Sequence, residues 1–167
     1  NALHEQDKLE ESIQAYQKAL QIQPDYAEAY YNSGNVLHKQ GKLEESIQAY
    51  QKALQIQPDY AKAYNNFGNV LHEQGKLKES IQAYQKALQI QPDYAEAYSN
   101  LGVVLKDQGH LEEALQVCQQ AIKSNPDYAT AYNNLGVILH EMGKFERAVL
   151  AYHQAIGISP DNSEAYN

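Results

Sequence analysis

KLEESIQAYQKALQIQPDYAKAY, residues 42–64, and KLKESIQAYQKALQIQPDYAEAY, residues 76–98, are nearly one sequence written twice. They differ at two positions only, Glu44 against Lys78 and Lys62 against Glu96, which points to recent duplication. Outward from this pair the same spacing governs the chain. Pro24, Pro58, Pro92, Pro126 and Pro160 recur every 34 residues, each followed directly by Asp25, Asp59, Asp93, Asp127 or Asp161. A fixed period of this length marks an array of supersecondary units stacked on one another.

Inside each unit the apolar residues fall at helical spacing. Tyr64, Phe67, Gly68 and Leu71 form an i, i+3, i+4, i+7 stripe, repeated as Tyr98, Leu101, Gly102, Leu105 and as Tyr132, Leu135, Gly136, Leu139. This is helix A. A second stripe, Leu77, Ser80, Ile81, Tyr84, Ala87, Leu88 and its counterpart from Leu111 to Ile122, is helix B. Gly41, Gly75, Gly109 and Gly143 stand between A and B, where a positive φ ends a helix. Each Pro stops helix B, having no N–H to continue it. Each following Asp is expected to cap the next helix A, with Asp25–Glu28, Asp93–Glu96 and Asp161–Glu164 patterned as capping boxes. Gly34, Gly68, Gly102 and Gly136 lie inside helix A, where Gly costs about 1 kcal/mol against Ala. Its recurrence there predicts close approach of the paired helix.

Together, A-x-A-Y-x-N-x-G-x-x-L, a Gly, L-x-E-S/A-I/L, Y-x-x-A-L/I and P-D-Y resemble the tetratricopeptide repeat across essentially the whole chain. Two columns depart from that pattern: Tyr30, Tyr64, Tyr98 and Tyr132 replace a Trp, and Ser12, Ser46 and Ser80 replace an Ala. The resemblance implies an all-α fold, a right-handed α-solenoid of antiparallel helix hairpins with helix A lining a concave groove and helix B on the convex side. In repeat register the chain reads as a single array, 1–167: a partial repeat 1–26, full repeats 27–60, 61–94, 95–128 and 129–162, and the start of another at 163–167. Asn1–Leu3 then reads as the end of a helix A, and the whole as a cut length of a longer array. Three residues separate Asn167 from Asn1 in register, so end-to-end self-association is an expectation.

Composition narrows the function. With 13 basic against 21 acidic residues, net charge -8 and pI about 5.2, the chain is poorly suited to nucleic acid or an anionic membrane. No apolar run reaches the roughly 20 residues of a membrane span, and no leader pattern opens the chain, so a cytoplasmic setting is expected. A bacterial origin would fit repeats copied so recently. Cys118, the single cysteine, reads as a small buried apolar side chain. No nucleophile with a base, no phosphate loop and no paired carboxylates appear, so neither enzymatic activity nor a cofactor is expected.

In a solenoid, functional residues should appear as columns. Helix A carries a second, polar stripe opposite its core stripe, expected to face the groove. Asn32, Asn66, Asn100 and Asn134 form its unvarying column. An Asn amide offers a donor and an acceptor, enough to hold a peptide backbone without reading side chains. The column is similar to the asparagine ladder in the repeat domains of O-linked N-acetylglucosamine transferases, which clamp protein substrates. Asn35 and Asn69, Asn65 and Asn133, and His38 and His72 extend the stripe, and Tyr31, unique in its column, is a candidate aromatic anchor. His4, His38, His72 and His140 cannot share one metal ion, because column mates stand about 10 Å apart by helix-packing distances. Tyr26, Tyr60, Tyr94 and Tyr128 read as fillers of the seam between hairpins, and Glu10, Glu11, Glu44, Glu45, Glu112 and Glu113 as a solvated convex face. The basic set of a chaperone-tail carboxylate clamp is missing. The expectation is a protein-interaction module that binds an extended or helical peptide of a partner in the concave Asn-lined groove, with a recognition arm of a larger glycosyltransferase and a self-assembling scaffold as alternatives.

Overall fold

The computed structural model describes residues 2–160, with side chains from Lys8 onward. Nine helices run through them: α1 Ala2–Ile22, α2 Ala27–Lys39, α3 Leu43–Ile56, α4 Ala61–Glu73, α5 Leu77–Ile90, α6 Ala95–Asp107, α7 Leu111–Ser124, α8 Ala129–Glu141 and α9 Phe145–Ile158. The chain divides into two compact units, Asn1–Ala83 and Tyr84–Asn167, with the boundary inside α5. In unit 1, α2 pairs with α3, and α4 packs on both. In unit 2, α6 pairs with α7 and α8 with α9, and α8 packs on α6 and α7.

The A-to-B joints are Schellman motifs. Gly41, at φ 71°, donates its N–H to His38 O at 2.8 Å, and Lys42 donates to Leu37 O at 2.9 Å. These bonds satisfy carbonyls the helix end would leave open, and only Gly takes that φ without strain. Gly75, Gly109 and Gly143 repeat the geometry. Where the earlier period falls on Asp7 there is no such Gly, and α1 runs unbroken from Ala2 to Ile22. Ala2 and Leu3 therefore belong to α1 and do not end a separate helix A.

The B-to-A joints differ from the expected capping. Tyr26 donates its N–H to Gln23 O at 3.3 Å, as do Tyr94 to Gln91 O at 3.3 Å and Tyr128 to Asn125 O at 3.2 Å. Pro and Asp are thus the two central residues of a β-turn, the positions their φ preferences suit. The N-cap residues are Tyr26, Tyr60, Tyr94 and Tyr128, none with a side-chain capping bond. The Asp sits one residue too early to cap. Asp161–Glu164, Ser163–Asn167, the His4 side chain and the proposed completion across Asn167 and Asn1 lie outside the described residues.

The glycines inside helix A do permit contact. A Cβ on Gly34 would stand 2.7 Å from Tyr50 Cε1, one on Gly136 2.5 Å from Tyr152 Cε1, and one on Gly102 2.5 Å from Cys118 Sγ. Cys118 is fully buried, as its small apolar character suggested, and burial pushes its thiol up to about 12. The serines have a role as well. Ser46 and Ser80, both fully buried, donate Oγ–H to the carbonyls of Gly34 and Gly68 at 2.8 Å, pinning B to A. Ser12 instead bonds back to Lys8 O in its own helix at 2.8 Å.

Each unit has its own core. In unit 1, Ile47, Tyr50, Val70, Leu71 and Ala83 are buried together, with Tyr31, Leu43 and Phe67 packed against them. In unit 2, Leu139, Ala148 and Ala151 are joined by Leu115, Leu135 and Tyr152. Val70, Val104 and Ile138 lie outside the helix-A stripe read from the sequence, yet they are at most 1% exposed. Helix A is covered by its own helix B and by its neighbouring repeat, so it buries two faces.

Candidate protein-interaction site

On the helix-A face of unit 1, α2 and α4 carry a polar network centred on Asn35. Asn35 Oδ1 accepts from Tyr50 Oη at 2.7 Å and from Asn66 Nδ2 at 2.8 Å. Asn66 Nδ2 also donates to Tyr31 Oη at 3.2 Å, and Asn66 Oδ1 accepts from Asn65 Nδ2 at 3.3 Å. The Tyr50 hydroxyl is held above its ordinary pKa by burial and stays a neutral donor. Tyr31 is set between two rings, 4.9 Å from Tyr60 and 6.1 Å from Tyr50 between centroids, tilted against both. Burial pushes the Tyr60 hydroxyl up to about 12. Tyr60, set against Tyr31, fills the seam between hairpins in unit 1; Tyr94 is buried at 9% exposure, whereas Tyr26 is exposed and reaches Glu28 Oε2 at 3.4 Å.

The network uses donors and acceptors unequally. Both Asn66 amide hydrogens are taken up within the protein. Asn35 has both acceptor positions filled, while its NH2 end has no partner among the described residues. Asn35 is half-buried, so that end stands at the face.

Unit 2 follows the same offset. Asn134 Nδ2 donates to Ser99 Oγ at 2.9 Å, 35 residues back, as Asn66 does to Tyr31. Ionisable groups obey it too. His38 Nε2 meets Glu73 Oε1 at 2.7 Å, and Lys106 Nζ lies 3.7 Å from Glu141 Oε1 and 2.9 Å from Asp107 Oδ1. The hydrogen bond to Asp107, then the nearby carboxylates, raise the Lys106 pKa against desolvation. These pairs brace α4 to α2 in unit 1 and α8 to α6 in unit 2.

The other sequence candidates are placed as follows. Asn32, Asn69 and Asn100 are half-buried on α2, α4 and α6, and Asn69, Asn100 and His72 are engaged in further interactions. Asn65 and Asn133 are buried, at 5% and 7% exposure, and present little surface to solvent. Asn133 Oδ1 has no hydrogen-bond partner among the described residues. The sequence reading did not foresee Ser99, Glu73 and Glu141 as bracing partners. Their signal is an offset of 35 residues between polar columns, one more than the repeat length.

Comparison with known proteins places this geometry. A family model described as TPR repeat matches residues 1–41, 34–75, 68–109 and 104–143, and one described as tetratricopeptide repeat matches 129–162. No curated protein matches the chain. Among solved structures, YrrB, described as a TPR protein with an unusual peptide-binding site, is 29% identical, with TM-score 0.75, over 99% of this chain and 86% of that one. MamA is 24% identical, with TM-score 0.79, over 91% of this chain and 89% of its own. PilF of Pseudomonas aeruginosa is 21% identical, with TM-score 0.86, over 98% of this chain and 75% of its own, a likeness of fold. No helix among the described residues is long and apolar enough to cross a membrane. The chain belongs to the tetratricopeptide-repeat family, whose members serve as protein-interaction scaffolds.

Proposed function

We propose that the helix-A face of unit 1 holds an extended peptide segment of a partner protein, and that the Asn35 amide is its main donor. One observation carries this reading: Asn35 spends both acceptor positions inside the protein, and its NH2 end has no partner among the described residues. An amide fixed at its carbonyl end is preorganised, so binding costs little side-chain entropy. A peptide carbonyl is its natural complement, which favours recognition of backbone over side chains. Asn66, for all its constancy, serves as the brace that orients Asn35. Tyr31, held between Tyr50 and Tyr60, offers a rigid ring edge beside the amide. The description of YrrB as having a peptide-binding site agrees with a peptide ligand. Titrating the chain, labelled with nitrogen-15 in its Asn side chains, with a panel of unstructured peptides of varied sequence tests this. The Asn35 NH2 signals should shift first and most. Shifts confined to other asparagines would contradict it.

A further inference from the structure

Unit 1 carries a second feature, independent of the function proposed above. Between α3, α4 and α5 in unit 1 lies a cleft of about 360 Å³. Its floor is apolar, with Tyr64, Phe67 and Leu71. Gln51, Glu79 and Gln82 stand on its rim, all three exposed. Glu79 is the one charge there, and it has no ion-pair partner among the described residues.

In unit 2 the positions matching Glu79 and Gln82, 68 residues on, are Arg147 and Leu150. Both break a column. Glu11, Glu45, Glu79 and Glu113 precede Arg147, the only Arg in the chain, and Gln14, Gln48, Gln82 and Gln116 precede Leu150. Elsewhere the duplicated repeats keep these positions polar and acidic. Leu150 is 66% exposed, and stacking a further repeat would not cover it, because Gln48, Gln82 and Gln116 stay exposed within the array. Arg147 lies one turn before Leu150 on α9, is exposed, and forms no ion pair among the described residues. An apolar knob beside a cation thus faces solvent at one place, and an apolar socket beside a carboxylate opens at another.

We infer that α9 of one copy docks in the unit 1 cleft of a second copy, with Leu150 entering between Phe67 and Leu71 and Arg147 pairing with Glu79. Knob and socket are different surfaces, so the contact is heterologous and generates chains or rings of copies.

Sedimentation equilibrium of the full chain across a concentration series tests it. The wild type should show mass rising with concentration beyond a dimer. Leu150→Gln installs the residue of the other repeats and so keeps the fold, checked by its melting transition. Removing one buried leucine should weaken association about tenfold. Arg147→Glu should also weaken it, and Arg147→Glu combined with Glu79→Arg should restore it. A strictly monomeric wild type, association unchanged by Leu150→Gln, or a double swap no better than Arg147→Glu alone would each overturn the inference.

Discussion

Gly34 shows how much a single hydrogen decides. Tyr50, fully buried, lies where a Cβ on Gly34 would fall, and its hydroxyl is tied to Asn35 at 2.7 Å. The ring cannot move aside without breaking that bond. Gly34→Ala should therefore destabilise by about 1–3 kcal/mol despite its better helix propensity, read as a lower urea midpoint with unchanged slope. A neutral or stabilising result would mean the ring has room. The tyrosines also give the chain an alkaline limit. Tyr50 and Tyr60 are held above their ordinary value by burial, Tyr60 to about 12. Above pH about 10 the unfolded chain loses protons that the folded one retains, so unfolding is favoured. Stability should be full below pH about 10 and fall from there towards 12, with Tyr60→Phe flattening the decline in urea midpoints.

At the scale of elements, joints and helices carry different amounts of their meaning in the sequence. The Gly joints are fully legible, since a Gly between two helical stripes has one physical use, and the structure gives φ 71° at Gly41. The Pro-Asp joints are legible as breaks but not as caps. Asp suits both an N-cap and a β-turn, and only the backbone shows that the turn claims it and leaves Tyr26 as the N-cap. Asp25→Ala should then cost under about 0.5 kcal/mol, against roughly 1 for a lost cap, by thermal melting. Gly41→Ala should cost about 1 kcal/mol or more, because Ala is strained at that φ. Helix A was half legible. Its core stripe follows from periodicity, but the burial of Val70, clustered with Ile47 and Tyr50 of the preceding repeat, follows from stacking, which no single repeat reveals.

At the scale of the molecule, the constant asparagine column and the binding group separate. Copying explains why Asn66 recurs; the hydrogen bonds explain what it does, which is to join α4 to α2. The binding donor is the neighbour it orients. Asn35→Asp isolates that donor, because the carboxylate still accepts from Tyr50 and Asn66 while the NH2 is gone. Fluorescence-anisotropy titration of wild type and Asn35→Asp with the same unstructured peptide panel is the most direct measurement. The account predicts binding weakened about tenfold across the panel, the loss of roughly one hydrogen bond, at an unchanged melting temperature. Full affinity in Asn35→Asp would contradict it.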